Sequence, residues 1–267
     1  MKVTKRSGSL EVFNEEKIKI CAERTCEGID DVSATELVYN STIKLYDGVK
    51  TIEIDQSLIK SARSMIEEEP NYKYVAARLL QSTIYKEVFG EGADSDVLEL
   101  QYRKTFILNL KKLVKKGIAS KELLKFDLKD LADYIKIDRD QNFAYLGLQT
   151  LYDRYLMHID DKRMEPPQGF WMRVAMGLAI NEEDKNGWAK KFYDVLSSFD
   201  FMSSTPTVFN SGGSFNQLSS CFLNTFEDSI NGIFDGVQQE ALKNKYAGGL
   251  GMDLTAFRAT NSYIKGT

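Results

Sequence analysis

From about residue 97 to residue 199 apolar positions recur at helical spacing with hardly a break, and at Phe201 that pattern stops. A sheet-dominated fold cannot absorb so long a run of this period, so the centre of the chain must be a body of packed helices. The spacing predicts helices over 97–116, 120–126, 128–135, 142–157, 170–180 and 182–199. One clear loop interrupts them at 158–169, where Asp160-Asp161-Lys162 and Pro166-Pro167 fall. The aromatic stripe Phe143, Tyr145, Tyr152 and Tyr155 could offer nucleic-acid bases a stacking surface. Its helical spacing, with no basic groove beside it, assigns it to packing instead. His158, the sole histidine, is too little for a metal site.

Ahead of this body, Glu91-Gly92-Ala93-Asp94-Ser95 reads as a junction. The segment before it opens with two strand candidates, 2–6 and 10–13, joined at Ser7-Gly8-Ser9 as a hairpin. Asn14 can cap a helix whose stripe is Ile18, Cys21, Ala22, Thr25 and Ile29. Ser33-Ala34-Thr35-Glu36 is a capping box opening a second helix, which Gly48 closes. A short extended piece at 50–54 follows, and Asp55 then caps a third helix that ends at Pro70. A fourth runs from Tyr72 to Gly90. The expected result is a small sheet covering four helices. Cys21 and Cys26 read as core thiols, because five residues apart on one helix is poor geometry for a bridge.

Beyond Phe201, Ser, Thr, Gly and Asn dominate 203–220, which reads as loops around a pocket. Residues 220–226 read as a buried strand, and Asp228 or Ser229 starts a helix reaching Tyr246. Gly248-Gly249-Leu250-Gly251 is backbone that admits a close ligand or strand. A lone cysteine on a buried strand would by itself be a packing residue.

Bulk properties narrow the function. A length of 267 residues with 43% hydrophobic content can fill more than one core. A net charge of -4 lacks the basic footprint of a duplex-binding protein, though a local Lys/Arg cluster can still bind phosphate. With no apolar signal core, no run of about 20 apolar residues and an odd, small number of cysteines, the expectation is a cytoplasmic protein. It would have no membrane span, no nucleic-acid partner and no disulfide scaffold.

The first ninety residues, with Val3-Thr4-Lys5-Arg6, Tyr46-Asp47-Gly48-Val49-Lys50-Thr51 and Tyr74-Val75-Ala76-Ala77-Arg78-Leu79, resemble the ATP-cone, an allosteric nucleotide-binding module. The resemblance implies that Val3, Lys5, Arg6, Glu11, Asn14, Lys17, Ile18, Lys50, Thr51 and Lys86 contact ATP or dATP. Lys and Arg would neutralise the triphosphate, and the helix start near Asn14 would offer backbone donors. After Ile54, where many relatives carry histidine, this chain has Asp55.

Thr205-Pro206, Ser219-Ser220-Cys221, Asp228-Ser229-Ile230, Gly248-Gly249-Leu250-Gly251-Met252 and Arg258-Ala259 have the order and spacing of a class I ribonucleotide reductase large subunit. That resemblance implies three parts: an ATP-cone at 1–92, a helical domain at 93–200, and the start of the reductase barrel at 201–267. The implied fold is α+β but mainly α, with the first strands of a ten-stranded α/β barrel left incomplete. Cys221 would be one half of a redox-active pair. Thr205, Ser220 and Gly249 would line the ribonucleotide, and Asp228, Ser229, Ile230, Arg258 and Ile264 a deoxynucleotide specificity site. The family's other catalytic cysteines lie downstream, and this chain has no cysteine after Cys221. Implied partners are therefore a carboxy-terminal half of the large subunit and a small radical-generating subunit that holds the metal. Thioredoxin or glutaredoxin would be the reductant, and no metal is expected in this chain. The chain would be a naturally divided half or an excised fragment, inactive alone. The alternative is a stand-alone ATP-cone sensor without catalysis.

Overall fold

Gly8, at φ +85°, reverses the chain so that β1 (Lys2–Thr4) pairs antiparallel with β2 (Leu10–Val12), Val3 opposite Glu11. A third strand, β3 (Val49–Lys50), joins β1 in parallel and completes the order β2-β1-β3. Val3 and Val49 stand side by side and are buried, which gives this sheet its apolar face. The structure is a computed structural model that describes residues 1–41, 46–90, 97–246 and 248–264. The expected junction at 91–95, part of the second predicted helix at 42–45, Ala247 and the last three residues lie outside the described residues.

Helix α1 (Glu15–Cys26) starts where Asn14 accepts a hydrogen bond from the Glu16 amide. Helix α2 (Ala34–Asn40) is capped by Ser33, whose hydroxyl accepts from the Glu36 amide. The Ser33 amide donates to the Tyr72 hydroxyl at 2.9 Å, which ties this cap to the fourth helix. Gly48 does not close a helix: at φ +88° it turns the chain into β3. Helix α3 (Thr51–Ser64) begins directly after β3, so Asp55 lies inside it and caps nothing. Its carboxylate is taken by Arg6 and Lys86 instead. The end of α3 is Ser64, followed by a short 3-10 turn, Met65–Glu67, ahead of Pro70.

Helix α4 (Tyr72–Phe89) stops at Gly90, φ +93°, as its spacing predicts. It is the central element, packing on α1, α3, α5 (Leu98–Lys115) and α7 (Tyr145–Arg154). That position explains why its apolar residues surround the axis instead of forming one stripe. Val75, Ala76, Leu79, Leu80 and Ile84 are all buried. Each such Val, Leu or Ile side chain contributes about 1.5–3 kcal/mol of transfer free energy.

The helical body continues through α6 (Leu128–Tyr134), α8 (Pro167–Leu178) and α9 (Lys185–Ser197). The expected helix at 120–126 is a 3-10 turn, Lys121–Lys125, and a further 3-10 turn, Ile137–Asn142, precedes α7, which starts three residues later than its periodicity suggests. The predicted loop holds a small hairpin, β4 (His158–Ile159) with β5 (Lys162–Arg163), turned at Asp160 with φ +53°. Pro167 opens α8, a position where its missing N–H is no loss. Of the aromatic stripe, Phe143 is buried and the three tyrosines are half-buried.

Two polar clusters lie inside this body. Asp140 accepts from Tyr85, Tyr102 and the Gln168 amide at 2.5, 2.8 and 2.9 Å. Tyr193 donates to the other end of Gln168 at 2.8 Å. Arg173, fully buried, donates to Glu165 through Nε at 2.6 Å and Nη2 at 3.1 Å, and Glu165 also accepts from the Met157 amide.

Residues 1–202 with 212–214 form one compact unit, and 203–211 with 215–267 form another. In the second, a helix stands where loops were expected: α10 (Thr205–Asn210), with Pro206 in its first turn. Strand β6 (Cys221–Thr225) pairs in parallel with β7 (Gly249–Asp253), connected by α11 (Ile230–Lys245), which Ser229 caps. The expectation of a buried strand is not met. Cys221, Leu223 and Thr225 are exposed along β6, and Phe226 just beyond is buried against Gly236. A Cβ on Gly236 would meet the Phe226 ring at 2.5 Å, so only glycine allows that approach. The chain is thus mainly helical, with small sheets that do not close among the described residues.

Candidate functional site

The hairpin, α1, α3 and α4 surround a cavity of about 250 Å³. Val3, Lys5 and Arg6 reach it from β1 and the turn after it, and Glu11 from β2. Asn14, Lys17 and Ile18 reach it from the start of α1, Thr51 from α3 and Lys86 from α4. The fold therefore gathers every predicted effector-contacting residue except Lys50 around one space. Lys50 is exposed at the end of β3 and borders a second concavity of about 1060 Å³, which Lys5, Arg6 and Thr51 also border.

The cavity is cationic but internally paired. Lys5, Arg6, Lys17 and Lys86 face it, against the carboxylates of Glu11 and Asp55. Glu11 pairs with Lys17 and, at 3.5 Å, with Lys5, and these contacts hold its carboxyl below the ordinary range. Asp55 pairs with Arg6 at 3.1 Å and Lys86 at 3.1 Å. Its apolar walls are Val3, Ile18, Ile54 and Leu58. A cluster of cations beside such walls suits an anionic ligand with an apolar or aromatic part.

Sequence reasoning missed Phe13, Cys21 and Leu58 as part of this lining, and singled out Asp55 only as a contact position of the resembled module that this chain fills differently. Asp55 had a signal, since it stands where relatives of the resembled module differ. Cys21 read as a core thiol and does have one side in the core; burial pushes its thiol up.

The second unit holds the cysteine site. Cys221 and Gly249 are partners in the parallel register, and the Gly249 amide donates to the Ser220 carbonyl at 2.6 Å. A Cβ on Gly249 would lie 3.2 Å from that carbonyl and 3.8 Å from the Cys221 sulfur. The Ser220 hydroxyl stands 3.6 Å from the same sulfur. Thr205 begins α10, which is held to the strand approach by Thr207 donating to the Leu218 carbonyl at 2.9 Å. Cys221, Thr205 and Gly249 are exposed and Ser220 half-buried, so the thiol is reachable.

Asp228 and Arg258 meet across thirty residues. Arg258 Nε donates to Asp228 Oδ2 at 2.6 Å and its amide to the same oxygen at 3.2 Å. These contacts hold the Asp228 carboxyl below its ordinary range. Ser229 is committed to capping α11, and Ile230 and Ile264 are exposed. Arg258 Nη1 donates to the Tyr263 carbonyl at 3.4 Å, which brings the segment before Ile264 to the same corner. Among the described residues, no three His, Cys, Asp or Glu side chains group so as to hold a metal ion, and no helix is long and apolar enough to cross a membrane.

Comparison with known proteins finds three families along the chain. Residues 1–87 match the ATP cone domain family, 141–215 the ribonucleotide reductase all-alpha domain, and 219–267 the ribonucleotide reductase barrel domain. The whole chain is 40% identical to the ribonucleoside-diphosphate reductase subunit alpha of Chlamydia trachomatis, covering 26% of that protein. It is 38% identical to the subunit alpha of Helicobacter pylori, with 99% of the chain and 33% of that protein covered. The large subunit of Danio rerio is 37% identical over the whole chain, again with 33% of that protein covered. The chain thus spans about a quarter to a third of the length of the curated relatives it matches.

Proposed function

The chain belongs to the ribonucleotide reductase large-subunit family, and from that premise we propose that it supplies such an enzyme with its effector-sensing module and one redox cysteine. In this reading 1–92 is the ATP-cone, 93–200 the helical domain and 201–267 the opening of the barrel. The observation that carries it is the cavity between the hairpin and α1, α3 and α4, where four cations and an apolar wall converge in the segment matched to an ATP cone. ATP and dATP are its proposed ligands, with phosphates toward Lys5, Arg6, Lys17 and Lys86 and the base against Val3 and Ile18.

The proposed reaction is the reduction of a ribonucleoside diphosphate. Two thiols give up two electrons and two protons and become a disulfide, while the ribose 2′-hydroxyl leaves as water and hydrogen takes its place. Cys221 is one of those thiols; the other comes from the remainder of a large subunit. Gly249 leaves the sulfur uncrowded on one side, and Ser220 and Thr205 offer hydroxyl groups to the substrate. Asp228 and Arg258, with Ser229, Ile230 and Ile264 nearby, form the proposed specificity corner, where a carboxylate suits a deoxyribose hydroxyl and a guanidinium suits phosphate. A small subunit holding the metal-radical centre, thioredoxin or glutaredoxin as reductant, and a cytoplasmic setting complete the proposal.

Two measurements test it. Calorimetric titration of the chain with ATP and dATP should show binding that Lys86→Ala weakens by about tenfold, in line with loss of a charge-assisted contact. Reconstitution with the rest of a large subunit and a small subunit should give nucleotide reduction that Cys221→Ser abolishes. Retained reduction in that variant would remove Cys221 from the chemistry.

A further inference from the structure

The apolar pattern of β6 hardly distinguishes its two faces. Cys221, Leu223 and Thr225 lie on the exposed face. Phe222 and Asn224 alternate with them on the side of α11, where a Cβ on Gly248 would meet the Phe222 ring at 2.7 Å. A shift of one residue would exchange the two sets. Cysteine and leucine are at home against a helix, so burial gives little preference at the cysteine end of the strand. Phe226, seated against Gly236, fixes only the far end. The contact that discriminates is polar. Asn224 Nδ2 donates to Glu240 Oε1 at 2.8 Å, and its Oδ1 accepts from Lys243 Nζ. All three side chains are half-buried, and Lys243 also lies over the Phe222 ring, 5.8 Å from its centroid.

We propose that Asn224 is a positioning residue: clasped by Glu240 and Lys243, it fixes the register of β6 on α11 and so keeps the Cys221 thiol on the open face beside Gly249. This rests on the reading of Cys221 as a redox thiol and adds to it what holds the sulfur in place. Asn224 lies three residues after Cys221, an odd separation, so locking one side chain against the helix presents the other on the opposite face. An amide serves a cation through its oxygen and an anion through its nitrogen. Aspartate there would repel Glu240, and leucine would answer neither partner. The clasp contributes specificity more than stability. With leucine at 224, Glu240 and Lys243 are three apart on one helix and can pair directly, so the fold loses little. What disappears is the penalty against the wrong register.

The test is timed iodoacetamide labelling of the full chain, with mass mapping of the Cys221 peptide. It compares the parent, Asn224→Leu, Asn224→Asp, and Asn224→Asp combined with Glu240→Gln. In the double variant the introduced glutamine donates to the introduced aspartate, which still accepts from Lys243. Circular dichroism and melting curves establish that each variant folds; Asn224→Asp, with the parent's shape, carries the comparison should leucine unfold the strand. The parent is expected to label in one phase. Each single variant adds a second phase, about tenfold slower, from chains whose thiol is turned against α11 and loses thiolate character with burial. The double variant returns to one fast phase. Labelling at the parent rate in both single variants overturns the proposal. So does faster labelling, the mark of a strand that merely frays, and so does a double variant that stays slow. Retained nucleotide reduction in Cys221→Ser would remove the redox role and leave the labelling result standing, so the two failures are distinguishable.

Discussion

The Tyr85 hydroxyl donates to Asp140 Oδ2 at 2.5 Å, across 55 residues of sequence, and so pins α4 of the segment matched to an ATP cone to a buried carboxylate of the helical body. Tyr102 shares the same oxygen at 2.8 Å, and Gln168 takes the other. Replacing Tyr85 by Phe removes one donor while leaving the ring, with its edge-on contact to Tyr102. The expected cost is about 1–3 kcal/mol, the penalty for leaving a buried acceptor short of a partner. Urea unfolding of the two proteins measures it.

Burial pushes the Asp140 carboxyl up to about 6, with the three donors pulling the other way. The folded chain therefore holds a proton that the unfolded chain gives up near 3.8. The stability this carboxyl confers is intact below pH 3.8 and is lost as pH rises through 6, by about 3 kcal/mol in all. Asp140→Asn cannot ionise, so the variant should gain on its parent as pH climbs from 4 to 7. Urea midpoints at several pH values read that gap; a constant gap would show that Asp140 does not titrate in this window.

The Arg173–Glu165 pair is buried on both sides, with Arg173 also lying over the Phe170 ring at 5.1 Å. Arg173→Met alone strands a carboxylate in the interior, and a loss of about 3–5 kcal/mol is expected. Combining it with Glu165→Gln should return much of that stability. Thermal melts of the single and double variants supply the comparison.

Alkylation should separate the three cysteines. Cys221 is exposed, while burial pushes the thiols of Cys21 and Cys26 up and lowers their thiolate fraction. Brief iodoacetamide treatment followed by peptide mass mapping should find Cys221 modified first. If the proposed effector site is correct, ATP then protects Cys21, which lines the cavity beside α1, and leaves Cys221 unaffected.

Asp228 provides a test by nuclear magnetic resonance. Its carboxyl should titrate below the ordinary range because of Arg258, and should return toward it in Arg258→Ala. The carboxyl carbon shift followed from pH 2 to 6 reads both proteins. An unchanged midpoint would mean that the pair does not persist in solution.

Much of this architecture was legible because it rests on local chemistry. Asn14 and Ser33 are caps, and Gly8 and Gly90 require positive φ. The errors arose where a distant residue decided the outcome. Asp55 looks like a cap until Arg6 and Lys86 approach from 49 and 31 residues away. Gly48 looks like a helix end until Val49 pairs with Val3. The apolar run at 220–226 suggested burial on both faces, yet a two-stranded sheet leaves Leu223 86% exposed. For the candidate sites, residue types marked which side chains could bind an anion, and only the fold could bring those of the hairpin, α1, α3 and α4 to one space.

Lys86 and Tyr85 are consecutive residues of α4, about 100° apart around its axis, and they serve different masters. One faces the cavity between the hairpin and α1, α3 and α4, and the other holds the buried carboxylate of the helical body. A rigid helix cannot turn one without turning the other. α4 therefore works as an axle between two bearings, the cavity lined by Lys86 and the Tyr85–Asp140 contact, and a roll at either one is felt at the other.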